Sequence, residues 1–329
     1  MEKEIKSSIQ DVISTRVPVS YEKVKIGDIQ DYLEEKAPEF NIMDYVYILD
    51  DEGILKGVIS IKQILSSAHS LKAKEVMHPH PITISPEEEV ENVVYLSLSH
   101  SLKSLPVTGP DKKFVGVVAH HDILKFFNQE VESDIFKFGG IFHKVGEEYT
   151  TISSSAQHMI RSRLPWLIIG VMGGIMAASV ISLFEDLLSS FIALASFIPV
   201  MVYMSDAAGT QSEALIIRSL ALDPNLSFKT YLIREIKVGL VLALVSGGLA
   251  GIMALITRQN IILGLIIFLS MFLSIMASVI IATWAPLLFK KINFDPAVAT
   301  GPLATIISDL VTLSIYLGVA LLLLSSTTI

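Results

Sequence analysis

Past residue 163 the apolar positions stop alternating with polar ones and merge into long runs. Five of these have the roughly 20 residues that a helix needs to cross about 30 Å of hydrocarbon. They lie at 164–184, 187–206 or somewhat beyond, 238–256, 261–289 and 296–324. Before residue 160 the pattern is different. Two stretches, "YVYILDDEGILKGVISIKQIL" from Tyr45 and "SLPVTGPDKKFVGVVAHHDIL" from Ser104, match at an offset of 59 residues, with Gly57 against Gly116. Each reads as a β-hairpin, turning at "DDEG" or "GPDKK", whose second strand leads into a short helix. Upstream of the second, "SPEEEVENVVYLSLSH" has a helix-start serine and proline, acids in the first turn and an apolar stripe. The pattern predicts two β-α-β-β-α units followed by an all-helical membrane domain.

Charge sharpens this division. Residues 1–160 hold 25 of the 33 acids and 16 of the 25 bases, a net of −9, and no basic patch suited to nucleic acid. The basic residues of the second half flank the runs. Arg161 and Arg163 precede the first, Arg218, Lys229, Arg234 and Lys237 separate the second from the third, and Lys290 and Lys291 separate the fourth from the fifth. Only Arg258 falls on the other side. Lys and Arg resist translocation, so the acidic half is expected in the cytoplasm and the C-terminus outside, in a multi-pass protein of the cell membrane. The start, "MEKEIKSSIQ", puts charges where a signal peptide needs an apolar core. The chain has no cysteine, which excludes disulfides and Cys-ligated metal sites. The histidine pairs at 78–80 and 120–121 lack a third ligand at helical spacing and read as surface or packing residues.

The chemistry lies in the carboxylates of the apolar half. Asp309 is the only charge from Pro296 to the end of the chain. An acid at a helix centre costs about 2.5–3.5 kcal/mol, so it marks a group facing protein or water, and no basic residue within the runs offers itself as a partner. Asp206 is the second candidate. If its helix continues toward Arg218, it reaches mid-membrane; if the helix stops there, it is a helix-end acid. Glu213 reads as an interfacial residue that Arg218 can satisfy. Oxygen donors without Cys or intramembrane His suit a hard divalent cation such as Mg²⁺, which sheds water reluctantly.

The paired units resemble CBS domains, which imply an adenine nucleotide such as ATP as a ligand. Their ribose-contacting motif is divided between the copies: "GVISIKQ" keeps Ser60 but has Gln63 at the acid position, and "GVVAHHD" keeps Asp122 but has Ala119 at the hydroxyl position. Taken in order, the paired units, the connector with "GG", "EEY", "TTIS" and "RLPWL", and the five runs resemble the MgtE family of magnesium transporters. The most specific stretch is "DPAVATGPLATIISDLVTLSIYLG".

The resemblance implies an α+β pair of cytosolic CBS domains, a connecting, plug-like helix and a five-helix pore domain. The divisions expected are 1–17 for an N-terminal segment, 18–70 and 71–129 for the repeats, 130–160 for the acidic connector and 161–329 for the pore. It further implies a homodimer in the lipid bilayer, with Asp309 holding a largely hydrated Mg²⁺ on a shared pore and Asp295 at the pore mouth. Glu132 and Asp134 would be connector-side partners for regulatory Mg²⁺, and Thr305 and Gln211 would complete the oxygen donors. The residues before the first repeat are too few for the large N-terminal helical domain common in the family, so that domain is not expected here. Ser205-Asp206 replaces the family's usual Gly-Asn, which leaves open a preference for Mn²⁺ or Co²⁺, or a Na⁺- or H⁺-coupled exchanger. A CBS-regulated membrane enzyme would need an HExxH-like pair of ligands on a span, and the sequence has none, so no enzymatic activity is expected.

Overall fold

The computed structural model describes residues 9–142, 155–223, 226–292 and 295–327. The chain divides into two compact units, Met1–Val131 and Glu132–Ile329.

In the first unit the elements run β1 (Val19–Tyr21), α1 (Ile26–Lys36), β2 (Tyr45–Leu49), β3 (Leu55–Ser60), α2 (Ile61–Ser66), α3 (Ala73–Val76) and β4 (His78–Pro79). Then follow α4 (Val90–His100), β5 (Ser104–Thr108), β6 (Phe114–Ala119) and the start of α5 (His120–Phe138). Strands β1 to β4 form one sheet in that order, and β5 pairs with β6 in a second. Helix α1 closes over its sheet because Ile26, Ile29 and Leu33 recur on one face and are all buried. The first hairpin is set by Asp50, whose Oδ1 accepts the N–H groups of Glu52 at 3.0 Å and Ile54 at 2.8 Å. The Ile54 bond, the partner Lys56 and the Glu52 bond hold its carboxyl below the usual range.

The repeat glycines have a steric cause. A Cβ at Gly57 would lie 2.6 Å from Met77 Sδ and 2.9 Å from His78 O, and one at Gly116 would lie 2.6 Å from Ser14 O. Each glycine therefore lets a neighbouring strand pair with the second hairpin strand, β4 in one copy and Ser14 in the other. The copies join through a buried cluster of Val17, Tyr47, Val117 and Ala119. Tyr47 stacks on Phe114 at 5.0 Å, and its hydroxyl bonds to Ser104 Oγ at 2.8 Å.

The second unit is helical after α5 ends: α6 (Ala156–Ser182), α7 (Glu185–Ser190), α8 (Ile198–Leu222), α9 (Phe228–Arg258), α10 (Ile261–Lys291) and α11 (Pro302–Thr327). By length and composition α6, α9, α10 and α11 can each cross a membrane. Helix α8, with 25 residues, is long enough at about 37 Å but carries Asp206, Glu213 and Arg218. Its boundaries differ from the sequence expectation of 187–206. The chain turns through 191–197, where Tyr316 donates its hydroxyl to Leu194 O at 2.8 Å, and a new helix starts at Ile198 with Pro199 in its first turn.

Helices α9 and α10 form a hairpin whose backbones touch. A Cβ at Gly251 would lie 2.9 Å from Gly264 O, and one at Gly264 would lie 3.1 Å from Gly251 O. Close glycine contact of this kind replaces the hydrophobic drive that a lipid environment does not supply. The fifth run also begins differently. A short 3-10 turn at Pro296–Ala299 precedes Gly301, at φ +63, and α11 starts at Pro302. In the expected connector, 130–138 belong to α5, whereas 143–154, with Glu147 and Glu148, lie outside the described residues.

Candidate functional site

A polar seam runs where α8, α10 and α11 meet. Ser278 of α10 donates its hydroxyl to Ser205 O of α8 at 2.7 Å and shares a 2.7 Å bond with Ser308 Oγ of α11. Gly209 makes room for it, because a Cβ there would lie 2.4 Å from Ser278 Oγ. Among the described residues, the hydroxyls of Ser205, Ser270, Ser274 and Thr312 are buried without a hydrogen-bond partner.

Beside this seam opens a cavity of about 460 Å³, lined among others by Phe138, Gly173, Thr210, Glu213, Thr305 and Asp309. Asp309 is half-buried, and its Oδ1 is fully buried without a partner. It sits seven residues into α11, about 11 Å from the start, because the helix begins only at Pro302. That is two turns from one end rather than the middle position that a span from 296 predicts. Thr305, one turn earlier, faces the same cavity.

Helix α8 continues 16 residues past Asp206 to Leu222, so Asp206 is an interior residue about 24 Å from that end. It is half-buried and within electrostatic reach of both Asp309 and Glu213, though it does not line the cavity. Gln211 lies on the exposed side of α8, outside the cavity.

The acid that the sequence placed at the interface, Glu213, is interior, and so is Glu235, which the sequence reading did not single out. Glu213 is 5% exposed and accepts the Gly301 N–H on Oε2 at 3.3 Å. No ion pair links it to Arg218 among the described residues. Glu235, in the second turn of α9, is 7% exposed and accepts from Ser212 Oγ at 2.8 Å. A partial signal for Glu213 was present in the sequence: Ser205, Gly209, Ser212 and Ile216 recur at helical spacing as the buried face of α8, and Glu213 adjoins that stripe.

Asp295 lies away from the cavity lining. Its Oδ1 caps the 3-10 turn by accepting the Ala297 N–H at 2.9 Å, and its other oxygen forms an ion pair with Lys137 of α5. Glu132 and Asp134 occupy the same helix, both half-buried. The end of α5 is fixed to the start of α11 by two glycines with positive φ. A Cβ on Gly140 would strike Pro302 Cγ at 2.6 Å, and one on Gly301 would strike Phe138 O at 2.5 Å. The next residues dock on α6, with Phe142 N–H donating to Ser162 O at 2.9 Å and its ring stacked on Trp166 at 5.5 Å.

In the first unit, Ser60 caps α2: its Oγ accepts the Gln63 N–H, and its own hydroxyl and N–H donate to Gln63 Oε1. Asp122, in the first turn of α5, is paired with His121 at 3.3 Å. The hydroxyl that a ribose would use is thus engaged in a helix cap, and Ala119 offers none, so the residues present fit a nucleotide only in halves.

Comparison with known proteins places these observations. Residues 198–319 match a family model described as MgtE, a divalent cation transporter, and residues 73–129 match a CBS domain. The chain is 30% identical to the magnesium transporter MgtE of Bacillus subtilis over 281 residues, 84% of this chain and 61% of that protein. It is 30% identical to the magnesium transporter MgtE of Enterococcus faecalis over 290 residues, 88% of this chain and 63% of that protein. The chain therefore spans less than two thirds of the length of these relatives. Among solved structures, the cytosolic domain of the Mg²⁺ channel MgtE in complex with ATP shares 24% identity at a TM-score of 0.34, covering 34% of this chain and 46% of that one.

Proposed function

Since the chain belongs to the MgtE family of divalent cation transporters, we propose that it carries Mg²⁺ across a membrane along a path that passes Asp309. The observation that carries this reading is the carboxylate itself: Asp309 faces a cavity within apolar helices, with a buried oxygen that no donor satisfies. Such a group in a span is costly unless a cation or water solvates it, and a hydrated divalent ion supplies both. Two copies related by a twofold axis would bring two such carboxylates to one path, which is the reason to propose a homodimer in the bilayer.

Regulation follows from the other acids. Asp295, Glu132 and Asp134 are proposed to gather Mg²⁺ when the ion is abundant and to hold the α5 end against the start of α11. When the ion is scarce, their repulsion would release that contact. The CBS unit is proposed to lie in the cytoplasm and to take an adenine nucleotide near Ser60 and Asp122. A second reading, exchange coupled to Na⁺ or H⁺, draws support from Asp206, an interior acid close enough to act on Asp309. Imposed Na⁺ and pH gradients distinguish it, because a channel responds to neither at fixed Mg²⁺ gradient and voltage.

The deciding experiment is flux in proteoliposomes with Mg²⁺, Mn²⁺, Co²⁺ and Ca²⁺, comparing the native chain with Asp309→Asn. Loss of Mg²⁺ flux in a folded variant supports the assignment. Native flux in Asp309→Asn overturns it.

A further inference from the structure

We propose that Glu213 is a second ion-binding carboxylate of the transport path, acting with Asp309 inside a single protomer. This rests on the reading of Asp309 just given. Glu213 comes from α8 and Asp309 from α11, and both line the one cavity with the hydroxyl-bearing Thr210 and Thr305. Glu213 is buried, with only 5% of the residue exposed, and among the described residues its carboxylate carries one hydrogen bond, on Oε2. Its one bond, from the Gly301 N–H to Oε2, fixes the carboxylate at the start of α11 and leaves the other oxygen for a ligand.

The site therefore offers two acids, two hydroxyls and no basic side chain among its described lining residues. Two carboxylates per protomer favour a divalent cation, because a monovalent ion would leave one of the two charges uncompensated. Size agrees. Six waters at about 30 Å³ each need roughly 180 Å³, and the cavity holds about 460 Å³. The ion can enter with its first shell intact and be held through that shell by Glu213 on one side and Asp309 on the other. Asp206, about two turns along α8 from Glu213, is within electrostatic reach of both and adds to the field.

A capping role for Glu213 at α11 would involve the same Gly301 bond, so the test must separate structure from ion binding. Glu213→Gln keeps an acceptor oxygen for the Gly301 N–H and removes the charge, whereas Glu213→Ala removes both. In proteoliposomes of the full chain, Glu213→Gln should raise the half-saturating Mg²⁺ concentration about 10–100-fold, the range for losing a partner of a metal's ligand shell. Its thermal unfolding in detergent without Mg²⁺ should match the native chain. Native saturation in Glu213→Gln, with unfolding changed only in Glu213→Ala, leaves a cap alone and overturns the proposal. Asp309→Asn in the same assay separates the two levels. If it abolishes flux while Glu213→Gln saturates normally, the second site fails and the path through Asp309 stands. If it transports like the native chain, both fall.

Discussion

Replacing Gly209 by alanine should damage the membrane unit, and removing a second side chain should repair it. The new Cβ would lie 2.4 Å from Ser278 Oγ, and that hydroxyl is held by bonds to Ser205 O and Ser308 Oγ. Alanine gains about 0.8–1.0 kcal/mol of helix propensity over glycine. Against this stand overpacking, about 1–3 kcal/mol, and two strained or lost interhelical bonds at about 0.6 kcal/mol each. The net expected for Gly209→Ala is a loss of about 1–3 kcal/mol. Ser278→Ala alone should cost about 1 kcal/mol. In the double variant the nearest Ser278 atoms are Cβ at 3.7 Å and O at 3.8 Å, ordinary contact distances, so the clash disappears and the propensity gain remains. The double variant should be more stable than Gly209→Ala alone, with a coupling of about 2–4 kcal/mol, the clash plus the bonds that both single variants lose. Unfolding of the detergent-solubilised chain by SDS titration measures all four species. A double variant that falls at the sum of the two single losses would refute the reasoning.

Three other outcomes follow from the geometry. Tyr47→Phe should cost the first unit about 1–2 kcal/mol through loss of the buried bond to Ser104, read by thermal unfolding. Burial pushes the Tyr47 phenol upward, so its neutral form stabilises the unit below about pH 10 and that contribution fades as pH rises beyond; the fade should vanish in Tyr47→Phe. Lys137→Gln removes the cation beside Asp295, and Mg²⁺ should then protect 143–154 from protease at several-fold lower concentration; equal protection curves would count against Asp295 as a sensing acid.

The repeats, most of the apolar helices and the position of Asp309 inside one of them were legible because each depends on residues close in sequence: a 59-residue offset, run length, one charge in an apolar stretch. Glu213 was legible only as a neighbour of the buried stripe of α8, because its hydrogen-bond partner, Gly301, lies 88 residues away. From sequence, Arg218 five positions on looked like its partner, and only the turn at Gly301 shows that the acid faces inward. The start of α8 was missed for a similar reason. The apolar residues 187–197 continue the hydrophobic pattern, but Tyr316 near the far end of the chain draws Leu194 out of helical register. The repeat glycines were visible as matches, while their cause, strands lying against Gly57 and Gly116, required the fold.

The glycine contact between α9 and α10 has a mechanical meaning. With main chain resting on main chain at Gly251 and Gly264, flanked closely by Phe268 and Leu255, little room is left there to repack, so that pair behaves as a fixed abutment. Under the proposed transport reading, any stroke would fall instead to α11 and α8, whose contacts run through hydroxyls and a carboxylate that can exchange partners without leaving a void.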